Sequence, residues 1–372
     1  MRRAMVNVLT TYDSPNSLAF LYPLLINRPF FEERGIKFRF YDRISSGFYN
    51  ADAVFINSKF FKAWYIEKEK ELYNILETAG KKAQKVIWFD VSDSSGTTQF
   101  NVMPFVDGYY KSQILRDKAL YYKTFYGNRI FTAYYKEKFG IDDGENVEWR
   151  FYRDGRIRPS ATPLKEEYAP KLRVSWNSAM NEWGSSNYAS GALMARILTR
   201  LPLKDRYKIG FTAPRAERQL DITGRIGLGH GRATVTYQRE MIANALKEKF
   251  GVDTSKIPRG RYLDEIKKSK IGVSPFGLGE ISCRDFEVII NGALLFKQDM
   301  SHLETWPPLY TADETYMPFL WDLSDLESKL RELLKDKEKV RRISENAQRT
   351  YEYYLYGDGR MEFCNKVMDI LR

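Results

Sequence analysis

The chain has 372 residues, 43% hydrophobic and 15% aromatic, enough to bury a large core and to divide into two domains of ordinary size. Lys and Arg number 59 against 48 Asp and Glu, a net +11, so the surface field attracts anions such as nucleic acid, anionic lipid or phosphorylated small molecules. Cys283 and Cys364 are too few and too far apart for a disulfide framework or a zinc site. Two histidines with no Ser–His–Asp pattern argue against a hydrolase triad, and no zinc-finger or RNP-type sequence favours nucleic acid. The start, "MRRAMVNVLTTYDSPN", turns polar too soon for a signal peptide or a membrane span, so a cytoplasmic setting is expected.

In chain order, "VNVLTT" (6–11) reads as a strand and "NSLAFLYPLLINRPFFEERG" (16–35) as a helix that its prolines kink. "IKFRFYD" (36–42), "ADAVFINS" (51–58) and "KVIWFDV" (85–91) read as strands, with a charged helix ending near Gly80. Strands alternating with helices imply a doubly wound parallel sheet. "RIRPSATPLKEEYAPK" (156–171) carries three prolines and reads as a linker. The alternation then restarts with strands at "LRVSW" (172–176), "RYKIGFTA" (206–213) and "IGVSPFG". Helices are expected around 189–201, in "QREMIANALKEKFG" (238–251), in "YLDEIKKSK" and through 324–372. The expected division is an N-terminal domain at 1–160, a linker at 161–171, a second domain at 172–349, and a helix at 350–372 returning to the first domain.

The densest candidate site is "SPFGLGEISCRDFEVIINGALLFKQDMSHLETWP" (274–307). A strand enters a loop holding Ser274, Gly277 and Gly279, then "RDFEVIING" forms about two helical turns closed by Gly292, and "ALLFKQD" is the next strand. Ligands of open α/β sheets bind at such strand ends, and a helix amino end beside a glycine loop suits phosphate. Arg284 and Glu287, three apart, share a helix face. There a carboxylate can accept from ribose hydroxyls while an arginine holds a diphosphate. Glu280, Lys297, Asp299 and His302 crowd the same strand ends.

Two glutamates, an apolar helix and "GALLF" resemble the donor-binding segment of GT-B glycosyltransferases, above all the group-1 and CgeB-like families of bacterial polysaccharide and surface-glycan assembly. "VIWFDVSDS" and "VDGYYKSQ" are similar to the same group. The resemblance implies two Rossmann-like domains with a cleft between them, the nucleotide sugar in the C-terminal half and a glycan or lipid-linked acceptor in the N-terminal half. It implies that Glu287 holds ribose, that Arg284 faces the diphosphate and that Glu280 lies near the transferring sugar. "ISCRDF" puts six residues between the acids, one fewer than the family pattern, which weakens the role of Glu280.

"GRIGLGHGR" (224–232) matches neither a Rossmann fingerprint nor a P-loop; in the transferase reading Arg225, His230 or Arg232 reach donor phosphates and aid departure of the diphosphate without a metal or other cofactor. Asp90 and Asp93 end a buried strand on the acceptor side, and Asp13 in "TTYDSPNS" is the first candidate for a general base of an inverting enzyme. Aromatic runs such as "YEYYLYG" suit a core, sugar stacking or peripheral contact with the inner membrane face. Two rival readings stand beside the transferase: a non-catalytic two-domain ligand-binding protein and a sugar-nucleotide epimerase.

Overall fold

The computed structural model describes residues 4–61, 68–144, 162–181, 188–200 and 209–372, and within these all side chains but those of 188–191. Six parallel strands form the first sheet: β1 (Ala4–Leu9), β2 (Ile36–Tyr41), β3 (Ala53–Asn57), β4 (Lys85–Asp90), β5 (Gly108–Lys111) and, after the short β6 (Gln113–Leu115), β7 (Leu172–Val174). Their spatial order is β2-β1-β3-β4-β5-β7. Chain order reverses between β1 and β3, which makes the carboxyl ends there the natural ligand edge. Val6, Val8, Val54, Phe55, Ile56, Ile87 and Phe89 are buried, the near-continuous apolar runs that a sheet covered on both faces needs. The long helix expected over 16–35 breaks once, into Pro15–Ile26 and Arg28–Glu33. Asn27 lies at the break and its side-chain amide caps the Pro23 carbonyl at 2.8 Å.

The second sheet is also parallel, with β12 (Met317–Phe319), β10 (Leu294–Gln298), β9 (Ser269–Ser274) and β8 (Leu220–Thr223) side by side. Two strand expectations change. Leu172–Val174 was expected to open the second sheet but pairs with β5, because its backbone continues the first sheet's edge. Residues 209–213 form no strand, and Thr212 donates instead to the carbonyl of Ile290 at 2.9 Å; residues 206–208, like residue 161 of the expected linker, lie outside the described residues. The edge strand is β8, four residues long with only Ile222 and Thr223 buried, too weak a pattern to stand out in the sequence.

The two sheet-bearing halves share one apolar core, in which Phe131 meets Phe276 at 5.3 Å and Tyr134 meets Trp321 at 5.3 Å. They are also joined by backbone: β6 pairs antiparallel with β11 (Leu303–Thr305). Arg116 extends that joint by donating to the carbonyls of Ser301 (3.2 Å) and Leu303 (3.1 Å). The last helix, Gly359–Leu371, lays Phe363, Cys364, Val367 and Ile370 into the first sheet's core, and Arg360 reaches Asn27 at 2.7 Å.

Candidate functional site

β9 runs into the 275–282 loop and then the Cys283–Ile290 helix. Ser282 and Asp285 form a reciprocal capping box at that helix's start, so the turn is fixed by sequence. Gly292, at φ 73°, reverses the chain into β10, which only glycine does without strain. Buried amides hold the loop: Gln298 accepts from the Phe276 N–H at 2.9 Å and donates to Gln238.

Around this loop two arginines and a histidine gather. Arg239, on the buried face of the Ala233–Phe250 helix, is 5% exposed and donates to the carbonyls of Gly227 (2.6 Å) and Phe276 (2.7 Å). Burial and the nearby Arg284 push its pKa down to about 9. Burial first, then the charges of Arg239 and Arg284, hold His230 below the ordinary histidine value. Arg284 lies 5.9 Å over the ring of Tyr262, whose hydroxyl is buried with no hydrogen-bond partner among the described residues. Among the described residues neither Arg239 nor Arg284 has a carboxylate partner. An arginine buried with only carbonyls and other cations around it lacks its counter-charge, so an anion fits here better than water. Glu287 borders the cluster, buried and ion-paired with Arg259. Sequence reading missed Arg239 and Tyr262. The signal for Arg239 was an arginine on the apolar row of Val235, Ile242 and Leu246.

Other expected site residues are placed differently. Lys297 and Asp285, both fully buried, pair at 3.1 Å beneath the helix, and Ser274 bonds the same carboxylate, so neither Lys297 nor Ser274 lines an open surface. Asp299 caps its own turn through the Ser301 N–H at 3.3 Å. His302 packs edge-on to Trp321 at 4.9 Å with its ring nitrogens shielded from solvent. Arg225 is held by Glu265 at 2.6 Å and Asp253 at 2.5 Å. Arg232 pairs with Asp143 of the first half at 3.3 Å, and that aspartate also accepts from the Thr234 N–H at 2.8 Å. Of Arg225, His230 and Arg232, it is His230 that lies beside the arginine cluster, and the Gly227 carbonyl of the same loop accepts from Arg239.

Glu280 is fully buried and accepts from the Ser94 hydroxyl (3.0 Å) and the Ser95 N–H (3.1 Å) and hydroxyl (2.7 Å). It fastens the glycine loop to the first half rather than opening onto a sugar site. Asp90 is likewise buried, against Lys111 at 3.0 Å and the Tyr109 hydroxyl at 2.6 Å. Asp13 is exposed and does not line the crevice between the halves. Asp93 does: the crevice, about 30 Å³, is bounded by Asn16, Phe20, Asp93, Gln113, Trp176 and Ile281 among others. Asn16 donates to the Asp93 carboxylate at 2.6 Å, and Gln113 to its carbonyl at 2.6 Å.

Gly277 and Gly279 form the tip of the loop, closed by a 3.0 Å bond from the Gly277 N–H to the Gly279 carbonyl. A Cβ on Gly279 would lie 1.9 Å from the Asp93 carbonyl oxygen. Gly279→Ala should therefore push the halves apart and cost about 1–3 kcal/mol, read as a lower urea midpoint.

Acid should also weaken the fold. Burial holds His230 and His302 below their ordinary pKa in the folded chain, so the unfolded chain takes up protons first as pH falls past about 6.5. Stability from this source is complete above that pH and declines below it. The melting temperature should drop from pH 7.5 to 5.5, and less so in a His230→Asn, His302→Asn variant.

No protein-family model matches the sequence, and no curated protein matches it. Among solved structures the chain is similar to HepE of Anabaena in complex with UDP and glucose, at 8% identity and TM-score 0.45 over 100% of this chain and 99% of that one. It is similar to an S. aureus TarM variant in complex with UDP, at 8% identity and TM-score 0.42 over 86% of this chain and 55% of that one. It is similar as well to the GtfA/B complex, at 9% identity and TM-score 0.41 over 87% and 57% of the two chains.

Proposed function

We propose that the chain is a glycosyltransferase of GT-B architecture, moving a sugar from a nucleoside diphosphate sugar to an acceptor hydroxyl. The observation that carries this reading is the uncompensated arginine pair Arg239 and Arg284, with the His230 imidazole beside it, at a glycine loop and a helix amino end, and with Glu287 at its border. The diphosphate takes the place of the missing counter-charge, and the helix amino end adds backbone N–H groups. Glu287, once drawn from Arg259, accepts from the ribose hydroxyls. As the bond from the anomeric carbon to the diphosphate breaks, the negative charge on the departing oxygen grows, and the same cations stabilise it.

We assign the acceptor side to the crevice, which at about 30 Å³ admits only water-sized groups until it widens, and assign to Asp93 on its wall the role of taking the acceptor's proton. This replaces Asp13, Asp90 and Glu280 as candidates, since the first stands outside the crevice and the other two are buried in structural bonds.

Calorimetry with UDP, GDP, ADP and CDP and their nucleosides tests the donor site. One diphosphate should bind at least about 100-fold more tightly than its nucleoside. No binding of any diphosphate would end the reading. With the matching sugar nucleotide, free diphosphate should appear only in the presence of an acceptor; recovery of an isomerised donor would mean an epimerase. Asp93→Asn should retain diphosphate binding and lose turnover by about 100-fold or more.

A further inference from the structure

The Tyr188–Arg200 helix packs against the Pro15–Ile26 helix through buried Ala195 and Leu198. Its opposite side exposes Leu193 (62%), Ile197 (41%) and Met194 (46%). At 100° per residue these three occupy one arc, and Arg196 and Arg200, both exposed, lie along the edge of that arc. An apolar stripe edged by arginine on a surface helix suits the boundary of an anionic lipid bilayer, where apolar side chains enter the acyl region and guanidinium groups meet phosphates. We infer that this face docks the protein on an anionic membrane surface.

Charge decides the occupant. A second copy of a chain carrying +11 would bring like charges against Arg196 and Arg200, whereas an anionic surface attracts them. Each arginine near such a surface strengthens binding about fivefold. The helix is held firmly enough to present the stripe. Arg28 caps its end by donating to the carbonyls of Leu198 (3.2 Å) and Thr199 (3.3 Å), the Tyr12 hydroxyl meets that of Thr199 at 3.4 Å, and Arg196 lies 5.2 Å over the Tyr12 ring. Among the described residues no helix is long and apolar enough to cross a membrane, so the contact is peripheral. The supporting helix also lines the crevice through Asn16, Ala19 and Phe20, so the docking helix and the crevice share one element. Under the transferase reading the acceptor is then lipid-borne.

The test is sedimentation of the full chain with sucrose-loaded vesicles, without nucleotide, so that its outcome is independent of the transferase reading. The wild type should pellet with vesicles of equal phosphatidylglycerol and phosphatidylcholine, and at least tenfold less with phosphatidylcholine alone. Leu193→Ser with Ile197→Ser should weaken the anionic-vesicle binding at least tenfold with an unchanged melting temperature, because both side chains are exposed. Failure of the wild type to pellet overturns the proposal, as does equal pelleting of the double variant. A wild-type dimer that the double variant turns into monomers in analytical ultracentrifugation also overturns it, since a second copy would then cover the face.

Discussion

Arg239→Met is expected to weaken nucleoside diphosphate binding about 10- to 100-fold while leaving the ligand-free protein as stable as the wild type, or more so. The two halves of this expectation come from the same geometry. In the free protein the guanidinium is 5% exposed, has carbonyls for partners, and feels the repulsion of Arg284. Removing it relieves an uncompensated buried charge. The carbonyls it leaves are not stranded: that of Phe276 keeps the Gln238 amide at 3.1 Å, and Gly227 is half-buried on a loop that water reaches. Methionine fills the volume of the arginine stem at little cost in packing. With diphosphate bound, the same guanidinium would make charge-assisted hydrogen bonds that methionine cannot. Calorimetry and thermal melting on one pair of proteins read both effects. A variant that melts several degrees lower and binds diphosphate as the wild type does would make Arg239 a structural tie and remove the main support for the donor site.

Legibility in the sequence followed the range of the interactions. The Cys283–Ile290 helix and its neighbours were readable because the cues are local: glycines before it, Gly292 after it, and apolar residues at 286 and 288–290. The parallel first sheet was readable from alternation of strand and helix. The joint between the halves was not, because β6 and β11 are three residues each and meet across about half of the chain, so neither leaves a periodic trace. Charged residues failed for a related reason. Sequence shows that Lys297, Glu280 and Asp90 carry charge near strand ends, but whether a charge faces solvent or a buried partner depends on residues far away, such as Ser95 for Glu280. Arg239 was hidden in the opposite way. Its helix was recognised, yet a site formed from the inward face of one helix and the outgoing loop of another strand has no spacing to recognise.

The buried Lys297–Asp285 pair should be the most sensitive point of the second half. Asp285 accepts from Lys297 (3.1 Å), the Tyr310 hydroxyl (2.8 Å), the Ser282 N–H (3.1 Å) and Ser274, so one carboxylate ties β9, β10, the helix start and the 310 region together. Burial lowers the Lys297 pKa while Asp285 raises it, so the ammonium depends on this partner to stay charged. Lys297→Met leaves the carboxylate with neutral donors, and Asp285→Asn leaves the ammonium without a counter-charge. Each should cost about 3–5 kcal/mol in urea unfolding. The double variant should be more stable than the sum of the single losses by at least about 1 kcal/mol, because an amide beside an apolar chain strands no charge. The alternative makes the opposite forecast. Were Lys297 an open donor-binding group, its replacement would lower nucleotide affinity, leave the urea midpoint where it was and show no coupling to Asp285. Additive losses in the cycle would therefore return Lys297 to the ligand, whereas coupling assigns it to the foundation on which the Arg284 and Glu287 helix rests.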